Sequence, residues 1–168
     1  MRARRLGPSA RRTALGLALA AIARPLAAQG YTVTPRLQAE LRAEAVISRR
    51  TSALVMAGAN APMGSYVRAG AAAGIGAVMV DGQARLAQRA DVTARFLLDP
   101  FGETRWGPYA GGGLTLRRDG SERAEAGLLL VLGVEGSRTK RFTPAVELAL
   151  GEGVRLAAVL RRTRTRGR

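Results

Sequence analysis

Four carboxylates, Glu44, Asp91, Glu125 and Glu147, stand in segments that also carry arginine, and two kinds of chemistry could use them. A pair of them at a suitable distance could work as general acid and base. Alternatively, each could neutralise a guanidinium where water does not reach, with Arg42, Arg89, Arg95 and Arg155 as partners. The chain has no histidine and no cysteine. That removes the commonest general base, thiol nucleophiles, disulfides and zinc sites of the His/Cys kind. Ion pairing is the reading we adopt, and no catalytic, cofactor-binding or metal-ligating residue is assigned. The run Gly70-Ala71-Ala72-Ala73-Gly74-Ile75-Gly76 has glycines spaced as in a phosphate-binding loop, but it neither follows a strand nor opens a helix, and it reads as strand packing.

The elements that must position these charges follow from a period of two. In Arg36-Leu37-Gln38-Ala39-Glu40-Leu41-Arg42-Ala43-Glu44-Ala45 polar and apolar residues alternate strictly. Only an extended strand sorts them onto opposite faces. Turn residues divide the chain after residue 30 into strands expected at 36–48, 52–59, 65–80, 84–98, 106–118, 122–135, 142–150 and 154–162. Asp81-Gly82 and Asp119-Gly120 are the strongest hairpin signals, because tight turns between strands need positive φ. The segment Ser52-Ala53-Leu54-Val55-Met56-Ala57-Gly58 alternates poorly.

One face of these strands collects Leu37, Leu41, Ile75, Val92, Leu114, Leu128, Leu130, Leu132, Leu148, Leu150, Leu156 and Leu160. The other carries Glu40, Arg42, Glu44, Arg68, Arg89, Asp91, Arg95, Arg117, Arg123, Glu125, Glu147 and Arg155, interspersed with Gly70, Gly74, Gly76, Gly111 and Gly113. A soluble barrel would turn the first face inward; a membrane barrel would turn the second face inward. A solvent-facing surface gains nothing from glycine in strands, whereas a narrow lumen crowded with long arginines does. The charged face is therefore expected inside, as a structural network of ion pairs among those twelve residues. Tyr66, Phe101, Trp106, Tyr109 and Phe142 lie near alternate turns, with Phe96 near the same end. Phe96, Trp106 and Phe142 have the outward parity and are expected to form an interfacial aromatic band. The opposite rim carries Arg49, Arg50, Asp81, Arg118, Asp119 and Glu152, and no ring.

The formal charge of +15 is concentrated at the two ends. Residues 1–28 hold six arginines and no acid, residues 161–168 five arginines and no acid, and residues 29–160 hold 16 basic against 12 acidic side chains. A basic start followed by apolar Thr13–Ala23 and then Ala27-Ala28 reads as a helical signal peptide over residues 1–28, cleaved after Ala28 or after Ala23. Residues 29–162 form the barrel domain and 163–168 an arginine-rich tail. Export makes nucleic acid the least suitable partner for that tail. Anionic lipid or acidic glycan fits it better.

With the leader, the dyad strands and runs such as Gly107-Pro108-Tyr109-Ala110-Gly111-Gly112-Gly113-Leu114-Thr115-Leu116 and Ala145–Leu156 in view, the chain over residues 31 to 162 resembles the small outer-membrane barrels of the OmpA/OmpX type. The resemblance implies an all-β, up-and-down antiparallel barrel of about eight strands, monomeric, in the lipid bilayer of the bacterial outer membrane. Its role would be structural or in surface interaction, with no catalysis and a lumen filled by paired charges. The chain departs from that family in its shorter outer turns and in a last strand that ends Val159-Leu160-Arg161-Arg162 without an aromatic residue. The competing expectation is a secreted or periplasmic calyx-like barrel, its leucines turned inward around a small apolar ligand.

Overall fold

Alternation at this period yields eight strands: β1 (Gln38–Ile47), β2 (Ser52–Pro62), β3 (Val67–Val80), β4 (Gln83–Leu97), β5 (Gly107–Asp119), β6 (Glu125–Glu135), β7 (Phe142–Leu150) and β8 (Val154–Arg162). The computed structural model describes residues 37–101, 103–120, 123–137 and 141–162. Each strand pairs antiparallel with the next, and β8 returns to β1 through a register running from Glu40↔Arg161 to Ile47↔Val154, so the sheet closes. Closure removes both sheet edges, leaving no open ladder. The expected signal peptide of residues 1–28, Tyr31 and the 163–168 tail lie outside the described residues.

Two ends can be distinguished. The turn rim joins β1 to β2, β3 to β4, β5 to β6 and β7 to β8. The loop rim makes the remaining three connections and is where β1 begins and β8 ends. At the turn rim Asp81 (φ 51°) and Gly82 (φ 75°) supply the two positive φ angles of a tight hairpin between Val80 and Gln83. Asp119-Gly120 does not form such a hairpin. Strand β5 pairs with β6 only as far as Arg117↔Glu125, then continues along β4 as Gln88↔Arg118 and Ala87↔Asp119. The Gly120 amide donates to the Leu86 carbonyl (2.6 Å), which holds this extension on β4, and β6 starts at Glu125 instead of 122. Strand β2 also outruns its expected end, because Asn60, Ala61 and Pro62 pair with Gly70, Ala69 and Arg68 of β3.

The aliphatic residues face out all round the cylinder: Leu128 is 76% exposed, Leu130 65%, Leu156 48% and Leu160 53%. The calyx arrangement required these side chains inside, and the structure corrects that expectation. The poor alternation of residues 52–58 has a simple cause. Their inward side chains, Leu54 and Met56, join Val46, Val78, Val80 and Ala87 in an apolar patch within the barrel, so β2 is apolar on both faces.

The lumen glycines meet the neighbouring strand more than they meet arginine. A Cβ on Gly76 would run into the Ala53 carbonyl oxygen and the Leu54 Cα. One on Gly111 would meet the Ala94 carbonyl oxygen and the Arg95 Cα. Only Gly70 has a guanidinium as its nearest obstacle, Arg95 Nη1 at 3.1 Å. These positions let the strands bend tightly enough to close a narrow cylinder.

Candidate functional site: an ionic lumen

Inward positions of the strands bring their charges into two linked groups. The group toward the loop rim centres on Glu147 of β7. Its carboxylate faces Arg42 Nη2 (2.8 Å), Arg95 Nε (3.3 Å) and Arg161 Nη2 (2.7 Å), and it accepts a hydrogen bond from the Tyr109 hydroxyl (2.6 Å). Arg161 spreads its remaining donors over Glu40 (2.9 Å), Glu135 (2.6 Å) and the Tyr109 oxygen (3.0 Å). Glu40 also takes Arg42 (2.9 Å), Arg95 (3.4 Å) and the Asn60 amide (3.4 Å), and Arg68 pairs with Glu135.

The second group lies nearer the turn rim. Arg89 pairs with Glu44, which Arg42 reaches from the first group at 3.8 Å. Arg155 reaches both oxygens of Asp91 at 3.5 Å and donates to the Thr115 hydroxyl at 3.2 Å. At the mouth, Arg117 gathers Glu125 (3.1 Å), Glu152 (3.2 Å) and Asp119 (3.4 Å). Glu147 and Arg155 are each 1% exposed. An unpaired charge there would be costly, and the network avoids this by pairing every carboxylate and by sharing Glu40, Glu44, Glu135 and Glu147 among two or more guanidiniums.

Of the twelve residues expected in this network, Arg123 is misplaced. It is exposed, outside any strand and two residues ahead of β6, because β6 begins three residues later than its alternation suggested. Glu125 sits at the mouth with a largely exposed side chain and touches the network only through Arg117. The other ten turn inward. One partnership is not the one that the β7–β8 hairpin alone would give. The β7–β8 turn is centred on Glu152 (Glu147↔Ala157, Ala149↔Arg155), yet Arg155 does not take Glu147. It crosses to Asp91 on β4, a neighbour that only the closed cylinder supplies.

Tyr109, Glu135, Asn60, Thr115 and Arg161 join the lumen beyond those twelve residues, and all are buried. Parity would have found Arg161, since Arg155, Ala157, Val159 and Arg161 follow one face; its place next to an arginine-rich tail hid it. Tyr109 was grouped with the rim aromatics, but its ring lies over Gly133 of β6, where a Cβ could not fit, and its hydroxyl joins the network. Replacing Tyr109 with Phe keeps the ring and removes a hydroxyl bonded to two charged groups. The expected loss is about 1.5–3 kcal/mol in urea unfolding of the refolded barrel.

Phe96, Trp106 and Phe142 are 50%, 62% and 48% exposed, all at the loop rim. Tyr66 stacks on Phe96 (centroids 5.8 Å apart) and meets Phe101 edge-on (6.1 Å). Among the described residues no group of three or more candidate ligands is placed to hold a metal ion.

A closed antiparallel barrel of eight strands, aliphatic outside and ionic within, defines the class of protein. Its fold is that of Neisserial surface protein A, with 17% sequence identity and a TM-score of 0.58 over 75% of this chain and 94% of that one. The N-terminal β-barrel domain of Pseudomonas aeruginosa OprF is similar at 14% identity and a TM-score of 0.50, covering 74% of this chain and 94% of that domain. Both are eight-stranded outer-membrane barrels. No family model matches the sequence, and no curated protein matches it.

Proposed function

We propose that the chain is a monomeric outer-membrane β-barrel with a structural or surface-interaction role and no catalysis, exported by the leader of residues 1–28. The observation that carries this is the inversion of polarity. Outward leucine, valine and isoleucine side chains are 38% to 76% exposed around the cylinder while glutamate and arginine are buried within it. Soluble monomers rarely leave apolar patches larger than roughly 300–600 Å² exposed, and this belt is continuous. Strands of 9 to 15 residues match the length needed to cross a bilayer at a tilt. The aromatic band at the loop rim fits one headgroup layer. The lumen is occupied by side chains, so its paired charges brace the wall in place of an open passage.

Fractionation tests this reading. The protein is expected in the outer-membrane pellet, extractable only with detergent, and to migrate faster on gels when unheated than after boiling. Release into a periplasmic wash without detergent would reject it.

A further inference from the structure

Resting on the membrane-barrel reading, we propose that the turn rim is a phosphate-binding collar for anionic lipid headgroups of the leaflet around it. The way the rim's charges are sorted carries this. Its carboxylates Asp119, Glu125 and Glu152 all bond to Arg117 at the lumen mouth. Arg49, Arg85, Arg118 and Arg123 instead lie exposed.

They stand on or beside the β1–β2, β3–β4 and β5–β6 connections. Arg118 lies on the outward face of β5, two residues beyond Leu116, which is itself 49% exposed. Arg85 takes an inward position of β4, opposite Val78, but lies beyond the buried part of the strand and is exposed; its Cδ is 3.5 Å from the space a side chain on Gly120 would fill, so it flanks the β5–β6 connection that holds Arg123. Arg49 lies in the β1–β2 turn, which is tied to the β3–β4 hairpin by the Met79 amide donating to the Thr51 carbonyl (3.0 Å). Outside the lumen mouth the only acids of this rim in the sequence are Asp81 and Glu122.

Among the described residues no aromatic side chain lies at the turn rim, so no ring there settles into a headgroup layer. Guanidinium is the group that remains to anchor it. Its planar fork bonds phosphate oxygens in pairs, and a cation at a membrane surface attracts anionic lipid.

Spin-labelled lipids added to the full chain refolded in phosphatidylcholine vesicles test the collar. The barrel is expected to immobilise labelled phosphatidic acid in preference to labelled phosphatidylcholine by roughly three- to tenfold. R49Q/R85Q/R118Q/R123Q is expected to lower that preference at least about twofold while the number of immobilised lipids stays the same. If that variant does not refold, R118Q/R123Q is read in the same way with a smaller drop. An unchanged preference in a refolded variant overturns the collar. Loss of the preference on adding inorganic phosphate at constant ionic strength overturns its assignment to lipid. Absence of any immobilised lipid, in wild type and variant alike, overturns the membrane-barrel reading instead.

Discussion

Replacing Glu147 with leucine is expected to destabilise the barrel by about 3–5 kcal/mol, the cost of removing one partner of a buried charge group. Glu147 is the common partner of Arg42, Arg95 and Arg161 and the acceptor for Tyr109. Leucine roughly preserves the volume and returns nothing to the three buried cations Arg42, Arg95 and Arg161. Arg161 keeps Glu40 and Glu135, whereas Arg95 keeps only a 3.4 Å contact to Glu40. The damage should therefore fall first on the β4 side. Adding Arg161→Leu should cost less than the sum of the single changes, because it removes one of the stranded cations. Urea unfolding in vesicles, followed by the heat-dependent gel shift, measures both. A loss below about 1 kcal/mol for Glu147→Leu would mean that water reaches this carboxylate and that the network is no more than a set of solvated surface pairs.

Gly76→Val is expected to cost about 3 kcal/mol or more and to abolish the fast-migrating folded band. The obstacle is backbone, the Ala53 carbonyl oxygen and the Leu54 Cα of β2, and it cannot swing aside as a side chain can. A β-branched residue there would force β2 and β3 apart at the bend that closes the cylinder. Gly107→Ala is the matched control. Its new Cβ would meet only the Glu135 Cβ at 3.7 Å, an ordinary contact, and the variant should refold as wild type. Equal refolding of Gly76→Val and Gly107→Ala would show that the lumen glycines do not set the curvature.

The extent to which the barrel was legible from its residues differs between particular elements. From Gln38 to Ala45 polar and apolar residues alternate strictly, so both the strand and its inner face are legible directly. In β2 the same rule failed, because Leu54 and Met56 face an apolar patch contributed by β1, β3 and β4, and both faces look alike locally. Alternation that continues past the true start of β6 points Arg123 at the lumen. The backbone bond from Gly120 to Leu86 keeps the end of β5 on β4, and no local alternation signals it. Tyr109 was assigned to the rim by its nearness to a turn, although the bare backbone of Gly133 gives its ring a seat inside.

The sequence by itself determined that the chain forms strands, roughly where they turn, and which side chains share a face. These are consequences of local alternation and of Asp-Gly and glycine turns, and they need no partner. Only the tertiary structure decided which cation meets which carboxylate and where the lumen turns apolar. It likewise decided that glycine is required by neighbouring backbone more than by arginine. Each of those depends on strands brought side by side or opposite one another by closure, as when Arg155 passes over Glu147 for Asp91 across the lumen.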